Sequence, residues 1–254
     1  MNNVKISGVV ITYNEQRNIH DCLESMKPIV DELVVVDSFS TDNTVSIAEN
    51  AGARVIQHPF AGHIEQKNVA MKEAHYDIIL SLDADERVSE AMAASIKQIK
   101  ANWVGNAYSF NRLNNYCGAW LKRSWYPDRK LRLWDRTYGE WGGTNPHDKV
   151  IVQHGVRTLK LKGDILHYAY DNLEEHFEQV KKFAIIAANS KYQKGKKVNF
   201  VIHLIFNPFY KFFRKYILRL GFLDGYYGFI FSAVTAYLNF LKYARLWELN
   251  RKNK

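Results

Sequence analysis

Ser81-Leu82-Asp83-Ala84-Asp85-Glu86-Arg87 follows directly on Tyr76-Asp77-Ile78-Ile79-Leu80. The apolar run reads as a buried strand, and two carboxylates stand two residues apart where it ends. Side chains at i and i+2 of an extended backbone share a face. Two carboxylates on one face suit a hard divalent cation, which can in turn bridge phosphate oxygens. The same spelling also fits a solvated strand-to-helix turn, with Ser89 or Glu86 near the next helix start. The pair alone leaves both readings open.

Upstream, the chain alternates. Val4 to Ile11 is apolar and β-branched, a strand signal. A helical pattern through Ile19, Leu23 and Met26 follows, then a second buried strand, Leu33-Val34-Val35-Val36. A helix from about Asn43 to Asn50 stops at Gly52, Arg54-Val55-Ile56 reads as a third strand, and Ile64 to His75 as a helix with Val69 and Ala70 facing inward. This rhythm predicts βαβ units and a mainly parallel sheet. Ligands of such sheets sit outside the carboxyl ends of the strands. Those ends carry Thr12 to Glu15, Asp37 to Ser40, and Asp83 to Asp85. The first turn has no Gly-x-Gly-x-x-Gly, which argues against a glycine-cradled dinucleotide. The acidic ends suit different chemistry, with Asp37 accepting from a base or ribose and the Asp83/Asp85 pair holding a cation under a diphosphate. Taken singly, Asn14, Ser38 and Thr41 are also ordinary helix caps.

Four stretches, VVITYNEQRNI, LVVVDSFSTDNT, HIEQKNVAM and ILSLDADERVS, occur in an order and spacing that resembles the family 2 inverting glycosyltransferases. NRLNNYCGAWLKRSWYPDRKLRLWDR, NPHDKV and GFLDGYYGF are similar to the branch that includes lipopolysaccharide core β-1,4-glucosyltransferases. The resemblance implies an α/β, Rossmann-like GT-A fold with helices on both faces of the sheet. It implies that Thr12, Asn14 and Glu15 line a nucleotide pocket and that Asp37 meets the uracil or ribose of a UDP-sugar. Gln66, Lys67 and Asn68 would lie near the pyrophosphate, Asp83 on the ribose side, and Asp85 on Mg²⁺ or Mn²⁺. His167 matches the place of a late metal-binding histidine, although a lone His between apolar residues is more often structural. An inverting transfer needs one general base. Asp148 is the candidate, with Glu140 in reserve. Related enzymes often have His-Glu where this chain has His147-Asp148, which shortens the reach by one methylene. The structural alternative for Asp148 is a salt bridge to Lys149 or the role of a turn residue.

Residues 103 to 150 are rich in aromatics and arginine. Trp103, Tyr108, Trp120, Trp125, Trp134 and Trp141 offer faces for sugar rings, or simply core. Arg129, Lys130 and Arg132 suit phosphates. Gly139 to His147, with three glycines and Pro146, reads as a loop or flap over the site. Residues 172 to 194 read as a helix, acidic early and basic late, as the helix dipole favours.

The net charge of +9 is uneven: residues 191 to 254 hold thirteen Lys/Arg and two acids. The domain boundary is accordingly set at 198, with a catalytic domain over 1–198 and a basic, aromatic tail of amphipathic helices over 199–254. Asn207-Pro208 signals a helix start, and Gly221 its close. Phe209, Phe212, Phe213, Tyr216, Ile217 and Leu220 fall on one face, with Lys211, Arg214, Lys215 and Arg219 on another. That pattern predicts a helix in an anionic membrane interface rather than a nucleic-acid reader. Gly225 to Leu241 carries no charge but is short and polar for a span, which favours a helix hairpin seated on the membrane. Two cysteines in no metal-type spacing, and a start at Met1-Asn2 with no signal pattern, predict a reduced cytoplasmic setting on the inner face of the membrane. The expected partners are a UDP-sugar donor, a glycan or glycolipid acceptor and the membrane surface. No segment sets an oligomeric state. Two alternatives stand beside this one. One is a haloacid-dehalogenase-type phosphatase, whose Asp-x-Asp normally lies near the chain start. The other is a non-catalytic, membrane-bound sugar-binding protein.

Overall fold

The computed structural model describes residues 3–144 and 147–252. Expectations resting on Met1, Asn2, Asn145 and Pro146, and on the side chain of His147, lie outside the described residues. The chain forms two units, residues 1–112 with 128–167, and residues 113–127 with 168–254.

In the first unit β1 (Ile6–Thr12), α1 (Ile19–Met26), β2 (Glu32–Asp37), α2 (Thr44–Asn50), β3 (Arg54–Gln57), α3 (His63–Lys72) and β4 (Ile78–Asp83) alternate as expected. β1 lies parallel between β2 and β4, with Thr12 opposite Asp37 and Ile11 opposite Asp83. β3 extends this parallel half beyond β2. The strands carry apolar residues on both faces because both faces are covered. Val10 and Val35 pack with Ile19, Leu23 and Met26 of α1. Their neighbours Val9, Val34 and Val36 pack with Ala70 and Met71 of α3 on the opposite side.

Beyond β4 the sheet changes character. β5 (Glu86–Val88), α4 (Glu90–Ala101), β6 (Ala107–Tyr116), β7 (Ala119–Leu121), β8 (Asp128–Asp135), β9 (Gly139–Thr144), β10 (His147–Val152) and β11 (Thr158–Tyr170) follow. The order is β3-β2-β1-β4-β8-β6-β11-β5. β8 runs antiparallel to both β4 and β6, and β5 antiparallel to β11. The sheet is therefore mixed: β8 returns antiparallel between β4 and β6, while α4 still links β5 to β6 past β11. The strand-to-helix turn does exist: Ser89 Oγ accepts from Met92 N and caps α4. Within the segment expected as a loop or flap, Gly139–Thr144 pairs with His147–Val152 as β9 and β10.

The second unit gathers residues 113–127 with the helices from 168 onward. α5 (Leu173–Gln193) is capped by Asn172, whose Oδ1 accepts from Glu175 N at 2.9 Å. It packs along α7 (Gly225–Lys252). Residues 122–124 belong with these helices, because the Asp224 carboxylate accepts from the backbone N–H of Lys122, Arg123 and Ser124.

Asn207-Pro208 does not start a helix. α6 (Asn207–Phe213) continues from a π-helical stretch, Val201–Phe206, and runs into another, Arg214–Leu218. Pro208 lacks an N–H and crowds the preceding turn, which a wide π turn relieves. Leu220, with φ 56°, takes the left-handed position expected of Gly221. Gly221 is needed for close approach instead: a Cβ there would stand 2.6 Å from the Lys215 carbonyl oxygen.

Candidate active site

Parallel pairing puts Thr12, Asp37 and Asp83 at one edge of the sheet, as the strand ends predicted. The loops leaving that edge are bound to each other. Asn14, at φ 54°, accepts through Oδ1 from Thr41 N at 2.8 Å and donates its own N–H to Ser40 Oγ at 2.8 Å. Glu15 N donates to Thr44 Oγ1 at 2.8 Å. Phe39 also holds a left-handed backbone, φ 61°. Such conformations cost energy for a bulky residue and gather at functional sites. The rings of Tyr13 and Phe39 are both exposed at this edge.

Asp37 is tied into its own loop. Its carboxylate is buried, accepts from Ser40 N at 2.8 Å and pairs with the Ser40 hydroxyl. Gln66 ties two loops: its side-chain amide donates to Ser38 Oγ and the His58 carbonyl, both at 3.0 Å. Asn68 clamps the hairpin to α3, donating to the Trp141 carbonyl at 2.9 Å and accepting from Trp141 N at 3.0 Å. Thr12 Oγ1 is buried without a hydrogen-bond partner.

Lys67 is the centre of the site. Its ammonium lies 2.6 Å from Asp83 Oδ1 and 2.7 Å from Asp148 Oδ2. It also sits 4.4 Å above the centre of the Trp141 ring. The hairpin register puts Asp148 on the same face as Trp141 and Val150, which pack inward, and Glu140 on the other face. Glu140 is exposed there, so the reserve base turns away from Lys67 and Asp83. The partner of Asp148 is Lys67, not Lys149.

From Asp83 a chain of alternating charge runs inward. Asp83 Oδ2 accepts from Arg132 Nη2 at 2.8 Å, and the same nitrogen donates to Glu86 Oε1 at 2.8 Å. Arg112 bonds Glu86 at 3.1 Å and Asp128 at 2.7 Å. Burial disfavours the charge of Asp83, but Lys67 and Arg132 outweigh it and hold the carboxyl far below the usual range. Burial likewise opposes the ionised form of Glu86, yet Arg132 keeps its pKa lowered. Arg132, expected to meet phosphates, is a buried structural cation. Lys130 pairs with Asp128 at 3.3 Å, and Arg129 remains exposed. Sequence reading missed Glu86, Arg112 and Asp128. They come from β5, β6 and β8, and only the sheet order joins them.

Asp83 and Asp85 do not share one extended face, because Ala84 and Asp85 form a turn between β4 and β5. Asp85 faces His167 instead, with Oδ2 at 3.3 Å from His167 Nε2. Its other oxygen, Oδ1, is buried without a hydrogen-bond partner. A buried carboxylate oxygen left unpartnered is costly, and a cation answers that cost. Oxygen from Asp85 and nitrogen from His167 form a donor set that fits Mn²⁺ or Mg²⁺ with positions open for phosphate. No group of three or more acidic, His or Cys side chains gathers as a closed metal site among the described residues.

Of the aromatics, Tyr108, Trp134 and Trp141 are core. Trp103 packs beside Tyr108, Trp120 meets Tyr168 edge-on, and Trp125 stacks on Phe231.

The sheet edge thus gathers polar loops, a carboxylate-rich turn and an inward-facing Asp on a hairpin. Residues 7–158 match the model of glycosyl transferase family 2, and the chain belongs to that family. It is a glycosyltransferase, and the phosphatase alternative falls. An uncharacterised glycosyltransferase of Rickettsia typhi is 32% identical, over 98% of this chain and 89% of its own length. The lipopolysaccharide core biosynthesis glycosyltransferase LpsC of Rhizobium meliloti is 26% identical, over 96% of this chain and 92% of its own. Among solved structures, residues 1–349 of S. aureus TarS in complex with UDP-GlcNAc align with a TM-score of 0.48 at 16% identity, covering 99% of this chain and 93% of that one.

Proposed function

We propose that the protein is an inverting transferase that moves a hexose from a UDP-sugar to a hydroxyl of a lipopolysaccharide-core or other lipid-linked glycan. The observation that carries this reading is the bridge Asp83–Lys67–Asp148. One ammonium holds the inward carboxylate of the hairpin against the acidic turn at the sheet edge. Asp148 is the general base. It accepts the acceptor hydroxyl's proton as that oxygen attacks the anomeric carbon and the bond to the UDP oxygen breaks. Lys67 orients the carboxylate from below, and Trp141 and Asn68 fix the strand that carries it. Asn14, Glu15 and Thr12 shape the nucleotide side, where the exposed rings of Tyr13 and Phe39 offer faces for a base. Asp85 and His167 would hold Mg²⁺ or Mn²⁺, which neutralises charge on the diphosphate when bound. The acceptor class is supported by likeness to LpsC along nearly the whole chain.

Asp148→Asn tests the assignment. Removing a general base costs about 10²–10⁴-fold in rate. Turnover with a UDP-hexose and a core-glycan acceptor is expected to fall by that much, while calorimetry shows UDP affinity within a few-fold of the parent. Unchanged turnover removes Asp148 from its role.

A further inference from the structure

We infer that the second unit lies on an anionic bilayer, through the π-α-π helix over 201–218 and the turn after it, with α7 as the internal support. This stands on the second unit alone and does not need the proposed acceptor. Ile202, Ile205, Phe206, Phe209, Phe213 and Ile217 recur at helical spacing, and all are exposed. Beyond the bend, Phe222, Leu223 and Tyr226 continue the exposed apolar surface. The stripe therefore begins earlier than the pattern from Phe209 predicts. Phe212 and Tyr216, expected on it, turn inward and meet Phe229 edge-on.

α7 is no free hairpin arm. Gly228, Phe231, Ser232, Val234, Asn239 and Leu246 are buried along it. Among the described residues no single helix is long and apolar enough to cross a membrane. The stretches Val201–Leu218 and Gly221–Lys252 pass that test only together, with a bend of 72° between them. A helix with a broad apolar stripe and flanking cations lies in the interface plane.

Charge selects the occupant. Exposed Lys194, Lys196 and Lys197 precede the helix, and exposed Arg214 and Arg219 stand at its end. The two acids of 191–254 are engaged: Asp224 by residues 122–124, Glu248 by Arg245 and Lys252. A second copy meeting this face about a two-fold axis sets cations against cations, whereas anionic headgroups pair with them.

The test is flotation of the full chain with vesicles of phosphatidylcholine alone or mixed with phosphatidylglycerol. The chain is expected to float with the mixed vesicles, less so at high salt, and weakly with phosphatidylcholine. The double variant Phe209→Glu, Phe213→Glu is expected to lose at least about tenfold in vesicle affinity with its melting temperature and UDP binding kept. Arg214→Glu with Arg219→Glu is expected to lose the preference for phosphatidylglycerol. The inference is overturned if the parent stays at the bottom of both gradients, or if the folded variants float like the parent. A dimer in sedimentation equilibrium that Phe209→Glu dissolves assigns the face to a second copy and overturns it too.

Discussion

Arg132 shows what the site costs to assemble. It is nearly inaccessible and joins Asp83 to Glu86, itself fully buried. Removing one partner from a buried ionic cluster leaves the others uncompensated. Arg132→Met is expected to lower stability by about 3–5 kcal/mol, read from the urea midpoint at unchanged slope. Glu86→Gln tests the same cluster from the other side and should be milder, because the amide oxygen still accepts from Arg132. Lys67 is different, since both its carboxylates keep partial access to solvent. Lys67→Met is therefore expected to lose turnover more than stability, as Asp148 loses the group that orients it.

At the scale of elements, the second unit depends on two polar devices, one at the turn before α7 and one inside an aromatic cluster. Asp224 accepts from three successive backbone N–H groups and from Ser124 Oγ. Asp224→Ala strands those donors and is expected to cost about 2–3 kcal/mol by thermal or urea unfolding. His176 pairs with the Tyr116 hydroxyl at 2.7 Å, and burial pulls its pKa down to about 4. Its folded pKa lies below the ordinary value, so the unfolded chain takes up this proton first. The stability His176 contributes is present above about pH 6.5 and is lost as pH falls from there toward 4. His176→Gln should flatten that part of the stability–pH profile, and an unchanged slope would show that other groups set it. In the first unit, β11 passes over the start of α4 at Gly163. The φ there is 91°, and an added Cβ would lie 2.1 Å from Met92 N. Gly163→Ala is expected to unfold the protein or displace α4, read as lost protection of α4 amides in hydrogen exchange.

For the whole molecule, the proposed role of Asp85 and His167 is to hold a divalent cation between the acidic turn and the nucleotide. UDP affinity is expected to rise about 10–100-fold on adding Mn²⁺ and to fall back with a chelator. Asp85→Ala should abolish that dependence while the parallel half of the sheet stays folded. Metal-independent UDP affinity in the parent would remove Asp85 and His167 from this role.

The local pattern alone determined the βαβ half. Each strand and helix from β1 to β4 lies within a few residues of where apolar periodicity and caps put it, because those signals act over a turn or a strand. The acidic strand ends were legible for the same reason, and the family motifs lie on them. Tertiary structure decided which of those residues keep a free face. Asp37 and Gln66 read as ligands, and the fold also gives their polar atoms loops to hold. Asp85 turned away from Asp83 because two residues between β4 and β5 curl instead of extending. The Asp148–Lys67–Asp83 bridge and the charge chain to Asp128 join residues far apart in the chain. No spacing rule reaches across such separations, so only the order and register of the strands bring these charges together.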